Sequence, residues 1–157
     1  MASSITHSAP PLDPASWHPK IKQLYDYWRS VHPPTGLPGR QHVDPVAVPG
    51  LLPHLFMVDV ERAPLRFRYR LVGTDYVRMM GHDLTGKYLD EVHPGFRGEI
   101  RQHYIDVVEK HVPAYRKGPV MYAEAKKDHL SVERLLVPLA RNGTDVDVIL
   151  GIILHLR

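Results

Sequence analysis

The chain has 157 residues, of which 43% are hydrophobic and 24% charged, and its formal net charge is +3. This length and composition predict one globular domain with a core of its own. Cysteine is absent, which excludes disulfides, thiolate metal sites and cysteine nucleophiles. Because no apolar run approaches the length of a membrane span and the N-terminus lacks the apolar core of a signal peptide, the sequence predicts a cytoplasmic protein that does not bind membranes.

The N-terminal part is expected to contain a loose segment followed by a helix. Residues 1–18 are rich in Ser, Ala and Pro, which predicts disorder or loose attachment. Residues 19–34 form an amphipathic helix ended by two prolines. Its apolar stripe must be buried on the outer face of the domain's own sheet or on the same helix of a second subunit. We predict a homodimer, with Ile21, Leu24, Tyr25 and Trp28 as its interface residues.

Residues 35–157 are expected to form the main domain. Residues 35–43 are a predicted loop. Asp44 and Pro45, which follow it, suit the cap and the first residue of a helix, and the family resemblance given below implies a short helix there, near Asp44–Leu52. The first strand is Leu55–Val60. The second, Leu65–Val72, alternates apolar residues with three arginines, so one face is expected to be buried and the other cationic.

The next segment is expected to hold a short helix and a tight turn. Thr74 is the predicted cap of a helix over Asp75–Met80, and Gly81 suits the left-handed position that ends it. Asp83 starts an Asp-Leu-Thr-Gly turn in which its side chain bonds the backbone amides of the turn. A second short helix is predicted over residues 88–92.

The C-terminal half predicts one long helix and three strands. The helix spans Phe96–His111, with a stripe that includes His111. The strands are Pro113–Tyr122, His129–Leu139 and Val146–Leu156, with an Asn-Gly hairpin turn before the last one. Gly118-Pro119 implies that the first of these strands is an edge or carries a bulge. The middle of the last strand is apolar on both faces, so both faces of the sheet are expected to be covered.

The order of these elements, together with several short motifs, resembles the PAS domain, and in particular the single-domain PAS proteins common in alphaproteobacteria. The resemblance covers roughly residues 21–156. It implies an α+β fold with a five-stranded antiparallel sheet and helices on one face, in addition to the N-terminal helix. It also implies a sensory or protein-interaction module rather than an enzyme. The motifs are Leu37-Pro-Gly-Arg, Asp44-Pro, Leu52-Pro and Asp83-Leu-Thr-Gly-Lys.

Aromatic and methionine side chains on the predicted strand and helices are candidates to line a cavity for a small apolar or amphipathic ligand. The same residues equally suit a filled core without a ligand, and Met is adaptable in both settings. The candidate ligand-binding residues are Phe67, Tyr69, Tyr76, Met79, Met80, Tyr104 and Val108.

The identity of any cofactor is left open by the sequence. The absence of cysteine excludes the flavin photochemistry of light-oxygen-voltage domains and the attached chromophore of coumaric-acid photoreceptors in their usual forms. His103 and His111 lie on the helix from which haem-binding PAS domains often take an axial ligand, but boundary histidines are the favoured interpretation. No histidine pair has the spacing of a metal site.

Three functional hypotheses follow. The first is a PAS-like sensor that binds a small molecule, a protein partner or both, and signals through association. The second is a small isomerase or hydrolase, which would need an acid or base with a shifted pKa in the cavity. The third is a ligand-free interaction module. We assign no catalytic residue, and the scattered Lys and Arg residues make nucleic-acid binding unfavoured.

Overall fold

The computed structural model describes residues 13–119 and 131–156. The predicted loose segment therefore lies mostly outside the described residues, as do the ends of two predicted strands at positions 120–122 and 129–130. The helices are α1 (Pro19–Ser30), α2 (Thr74–Met80), α3 (Leu89–Val92) and α4 (Gly98–Lys110). The strands are β1 (Leu55–Glu61), β2 (Arg66–Val72), β3 (Ala114–Pro119), β4 (Ser131–Leu139) and β5 (Val148–Leu156).

The five strands form one sheet in the order β2-β1-β5-β4-β3, and every neighbouring pair is antiparallel. The first and last strands of the chain are therefore neighbours in the middle of the sheet. β3 lies at an edge, as Gly118-Pro119 predicted, because proline cannot donate a ladder hydrogen bond. The predicted α+β fold is confirmed.

Both faces of the sheet are covered. On the face that we call inner, α2, α3 and α4 pack over Ile149 and Ile153 of β5. On the opposite, outer face, α1 packs over Val148, Leu150 and Ile152 of the same strand. This alternation follows from the two-residue period of a strand and confirms the prediction that β5 is buried on both sides.

The N-terminal helix was predicted to pack either on the outer face of the chain's own sheet or on a second subunit, and the structure shows the first arrangement. Ile21, Leu24 and Trp28 are at most 6% exposed, and half-buried Tyr25 packs beside them. The indole Nε1 of Trp28 also donates to the carbonyl of Pro138 at 2.9 Å. The stripe is thus buried on the chain's own sheet. The assignment of Ile21, Leu24 and Trp28 to a subunit interface is corrected accordingly, because intramolecular packing already buries them. For half-buried Tyr25 the assignment stays a prediction.

Two helix predictions are corrected, one in the type of helix and one in its N-cap. The segment after Asp44 forms two short 3-10 helices, Pro45–Ala47 and Pro49–His54, because their prolines lack the amide that a continuous α-helix needs. Asp44 does cap the first of them by accepting from the Val46 amide at 3.0 Å. Thr74 is the first residue of α2, and the N-cap is Gly73, where a Cβ would lie 2.5 Å from the Pro53 carbonyl oxygen.

Other local predictions are confirmed. Gly81 ends α2 with a φ of 87°. Asp83 accepts from the amide and the hydroxyl of Thr85, at 2.9 and 2.7 Å. No helix within residues 13–119 and 131–156 is long and apolar enough to cross a bilayer. The cytoplasmic location stays a prediction.

Candidate functional site

A cavity lies between the inner face of the sheet and the helices that cover it. Its volume is about 40 Å³, which is room for about three water molecules. Most of its surface is aromatic or aliphatic, with a few polar side chains. The lining residues are Phe56, Tyr69, Tyr76, Leu89, His93, Gly95, Phe96, Ile100, Tyr104, Arg116, Val132, Arg134 and Ile153.

The structure brings some of the predicted ligand-binding residues to this cavity. Tyr69, Tyr76 and Tyr104 line it. Phe67 and Val108 are buried in the surrounding core without lining the cavity. Met79 and Met80 are half-buried and also lie outside the lining, because the short helix α2 directs Tyr76 inward. The role of all seven residues in ligand binding stays a prediction.

Three polar groups from different elements meet at the cavity. The hydroxyl of Tyr69 on β2 lies 2.6 Å from Nε2 of His93, just after α3, and 2.8 Å from the hydroxyl of Tyr76 on α2. Burial lowers the pKa of His93 to about 4 and raises the pKa of Tyr76 well above its usual value. His93 and Tyr76 are therefore neutral near pH 7, and the hydroxyl of Tyr69 joins them in one hydrogen-bonded network.

Two arginines add positive charge to the lining. Arg116 of β3 and Arg134 of β4 are directly paired across the two strands, and both line the cavity. Arg134 is 5% exposed, and its Nη2 lies 2.9 Å from Nδ1 of His103. Its guanidinium is also 5.7 Å from the ring centre of Tyr104. Among the described lining residues there is no Asp or Glu. The Nη2 of Arg116 donates to the carbonyl of Pro119 at 2.7 Å. The described lining therefore combines apolar side chains with two arginines that are held by other groups of the protein.

Glu133, the residue before Arg134 on β4, makes its contacts on the outer face of the sheet. Glu133 is 2% exposed and accepts from the backbone amide of His18 at 2.8 Å and from the hydroxyl of Tyr115 at 2.9 Å. The ring of Tyr115 stacks on Trp17, with centroids 4.6 Å apart. Glu133 thus fixes the start of α1 to the sheet and has no place in the cavity.

The histidines considered for haem do not line the cavity. His103 contacts Arg134, and burial followed by the charge of Arg134 lowers its pKa. His111 is exposed and has a φ of 60°, because it follows the last residue of α4. Its predicted place on the buried stripe is therefore wrong. Within residues 13–119 and 131–156, no three His, Asp or Glu side chains are grouped as metal ligands.

The predicted cationic face of β2 carries compensating acids. Each of its arginines is paired with a carboxylate at 2.7–2.8 Å, and Arg66 also lies 3.6 Å above the ring of Tyr88. The face is therefore a ladder of ion pairs rather than an uncompensated basic surface. The pairs are Arg66 with Asp90, Arg68 with Glu61, and Arg70 with Asp59.

Sequence reasoning missed five polar or aromatic lining residues: Phe56, His93, Phe96, Arg116 and Arg134. A signal existed for Arg134. Glu133 and Arg134 are adjacent charges inside an otherwise apolar strand, and alternation directs them to opposite, covered faces. A buried charge needs a partner or a function, so that dipeptide could have been recognised. His93 has no such signal, because it follows a helix of only four residues.

The fold is similar to that of solved light-oxygen-voltage proteins. A Rhodobacter sphaeroides LOV protein is 16% identical, with a TM-score of 0.52 over 86% of this chain and 68% of that one. A d2 variant of RsLOV is 14% identical, with a TM-score of 0.50 over 85% and 67%. A light-oxygen-voltage domain studied with a flavin analogue is 9% identical, with a TM-score of 0.53 over 71% and 83%. No curated protein matches the sequence.

These likenesses concern the fold, and the cavity of this chain does not fit the flavin that such domains imply. Space for about three waters is far less than three fused rings need. The sequence also holds no cysteine for the light-driven adduct. The likeness to known proteins is stronger at the level of the family: the model of the PAS domain matches residues 16–154. The chain therefore belongs to the PAS domain family, a family of sensory and signalling domains.

Proposed function

We propose that this PAS domain senses a small organic molecule in the cavity between the sheet and α3 and α4, and that it signals through association with a protein partner or a second copy of the chain. The observation that carries the proposal is the cavity itself. It is apolar over most of its surface, and it holds a few polar groups on rigid elements, which is the usual composition of a small-molecule site.

The connection between the cavity and the outer face supports a signalling role. Arg116 and Arg134 line the cavity, while their neighbours Tyr115 and Glu133 on the same strands hold the start of α1. A ligand that favours one arrangement of β3 and β4 would therefore favour one arrangement of that anchor. Such a ligand acts by population shift, and its effect is limited by its difference in affinity for the two arrangements.

Binding is favoured over catalysis by the chemistry of the cavity. The enzyme hypothesis needs an acid or base that is active near neutral pH, and His93 is the candidate among the described lining residues. Its pKa of about 4 makes it a weak base. Its Nε2 is also engaged by the hydroxyl of Tyr69 at 2.6 Å. Both observations favour a role for His93 in orienting a ligand over a role as a catalytic base.

Native mass spectrometry of the full chain, with an absorbance scan, tests the proposal. We expect a non-covalent ligand mass that is lost in Ile100→Phe, because this half-buried side chain lines the cavity and a larger ring fills it. Ile105→Phe is the matched control, since Ile105 is half-buried on the same helix but does not line the cavity. An absent mass, or equal retention of the ligand by both variants, would contradict the proposal.

Association is tested separately by size-exclusion chromatography with light scattering, before and after removal of the ligand. We expect the molar mass of the chain, alone or mixed with a candidate partner, to depend on the ligand. A homodimer would have to use a surface other than the stripe of α1, which is buried. A molar mass that never responds to ligand would refute signalling through association while leaving the binding site in place.

A further inference from the structure

We propose that residues 87–97 form a lid over the cavity, which turns about Gly86 and Gly98 and opens to admit a small molecule. This inference rests on the proposed function, because it names the part of the chain through which the same cavity is filled. The lid carries α3 and the loop that joins α3 to α4. It supplies four of the lining residues, Leu89, His93, Gly95 and Phe96.

The lid is attached to the sheet more weakly than the other described walls of the cavity. Those walls include all five strands, which are joined by backbone ladders, through Phe56, Tyr69, Arg116, Val132, Arg134 and Ile153. In the lid, the backbone amides of residues 89–97 donate only to carbonyls of the lid itself, within the part of the chain that the structure describes. The amide of Tyr69 donates to the carbonyl of Lys87 at 2.9 Å, next to the first hinge. Beyond that point the lid can separate from the sheet without breaking a ladder.

Both ends of the lid have backbone freedom. Gly86 has a φ of 87° and Gly98 a φ of 55°, and a Cβ at either position would meet nothing within 4 Å. Glycine crosses between positive and negative φ at little cost. A hinge is a position that absorbs such changes of φ and ψ while the segment beyond it moves as a unit. The two glycines are therefore suited to be the hinges of the lid.

An ion pair and a stacked ring close the lid on its solvent side. Asp90 accepts from Nε of Arg66 at 3.1 Å and from its Nη2 at 2.7 Å. The same guanidinium lies 3.6 Å above the ring of Tyr88, whose hydroxyl donates to Glu61 at 2.7 Å. We call these contacts the outer latch. Because they are exposed, they stabilise the closed lid only modestly.

The inner side of the lid is closed by one hydrogen bond and by apolar packing. Nε2 of His93 lies 2.6 Å from the hydroxyl of Tyr69. Leu89 and Phe96 are 1% and 8% exposed, so opening moves apolar surface into water. The closed state is therefore the major one, and the open state is a local opening that requires far fewer contacts to break than unfolding.

Thiol labelling of the full chain tests the lid, since the chain has no cysteine of its own. Val132→Cys places a thiol on the cavity wall, and Val137→Cys is the matched control on the outer face of the same strand; both valines are at most 2% exposed. The reagent is methyl methanethiosulfonate, which transfers a small methylthio group to the thiolate and releases methanesulfinate. We expect Val132→Cys to be labelled at least about tenfold faster than Val137→Cys without denaturant, because local opening exposes the first thiol and only unfolding exposes the second. Equal rates would overturn the inference.

The outer latch identifies the route. Adding Asp90→Asn to Val132→Cys removes the ion pair with Arg66 and should raise the labelling rate about two- to fivefold. Asp59→Asn is the control, because it removes an ion pair of the same 2.7 Å length, with Arg70 between β1 and β2, outside the lid. It should leave the rate unchanged. Equal effects of the two substitutions would refute the lid as the route into the cavity.

A second pair of thiols covers the case in which Val132→Cys fails to fold. Ile153→Cys lies on the cavity wall, and Ile152→Cys is its control on the outer face of β5. The same difference in rate is expected. Labelling needs no ligand, so its result is independent of the native mass measurement. Fast labelling without a ligand mass would keep the lid and refute the sensor, and a ligand mass with equal labelling rates would do the reverse.

Discussion

Protonation of His93 is expected to destabilise the fold. Its side chain is 5% exposed, its Nε2 lies 2.6 Å from the hydroxyl of Tyr69, and burial lowers its pKa from 6.5 to about 4. Between these two values the unfolded chain binds a proton that the folded chain rejects. The free energy of unfolding therefore falls as the pH falls, and the stabilisation present above pH 6.5 is lost on the way down to pH 4.

The magnitude follows from the two pKa values of this histidine. Each unit of difference corresponds to about 1.4 kcal/mol. Integrated between pH 7 and pH 5, the contribution of His93 to the free energy of unfolding falls by about 2 kcal/mol. A domain of this size is stable by about 5–15 kcal/mol, so the loss is a large fraction of the total.

Urea unfolding at pH 7 and pH 5 measures this loss. His93→Gln keeps a hydrogen-bonding group near Tyr69 but does not titrate, so its stability should fall by about 2 kcal/mol less than that of the parent chain. His111→Gln is the matched control, because it removes an exposed imidazole, and it should follow the parent. If the parent and His93→Gln lose equal stability between the two pH values, the low pKa of His93 is wrong.

Two further predictions concern the packing on each face of the sheet. A Cβ at Gly151 would overlap the ring of Phe56, so Gly151→Ala should lower the free energy of unfolding by about 1–3 kcal/mol. Gly50→Ala, where a Cβ meets nothing within 4 Å, should change it by less than about 0.5 kcal/mol; equal urea curves for the two would contradict the packing of Phe56. Trp28→Phe should cost about 1–3 kcal/mol in the same assay, because it leaves the buried carbonyl of Pro138 without its donor, and an unchanged midpoint would refute the anchoring of α1.

Strand β5 illustrates how much of the fold could be predicted. Its two apolar faces required cover on both sides, and the structure supplies α1 on one face and α2–α4 on the other. Periodicity thus predicted the layers. It could not say whether α1 belongs to the same chain or to a second subunit, because both arrangements bury the same stripe. That choice depends on the path of residues 31–54, which consists of turns and 3-10 segments without a readable period.

In the candidate site, too, residues on periodic elements were predicted and residues whose position depends on tertiary packing were missed. Tyr69, Tyr76 and Tyr104 were predicted because they lie on periodic elements, where the buried face can be read from spacing. His93 follows a helix of four residues, and its burial results only from tertiary packing. Arg116 looked like a surface charge, because a half-buried position on an edge strand has no distinctive pattern. Spacing along the chain therefore finds the aromatic part of the cavity lining and misses its charged residues.

Membership in the PAS family and the chemistry of the cavity answer different questions. The fold is similar to that of light-oxygen-voltage proteins that are 16% identical or less among those compared, and a shared fold carries no information about a ligand. The cavity of this chain must therefore be judged on its own lining, where the hydrogen-bonded network of Tyr69, Tyr76 and His93 meets aromatic and aliphatic side chains.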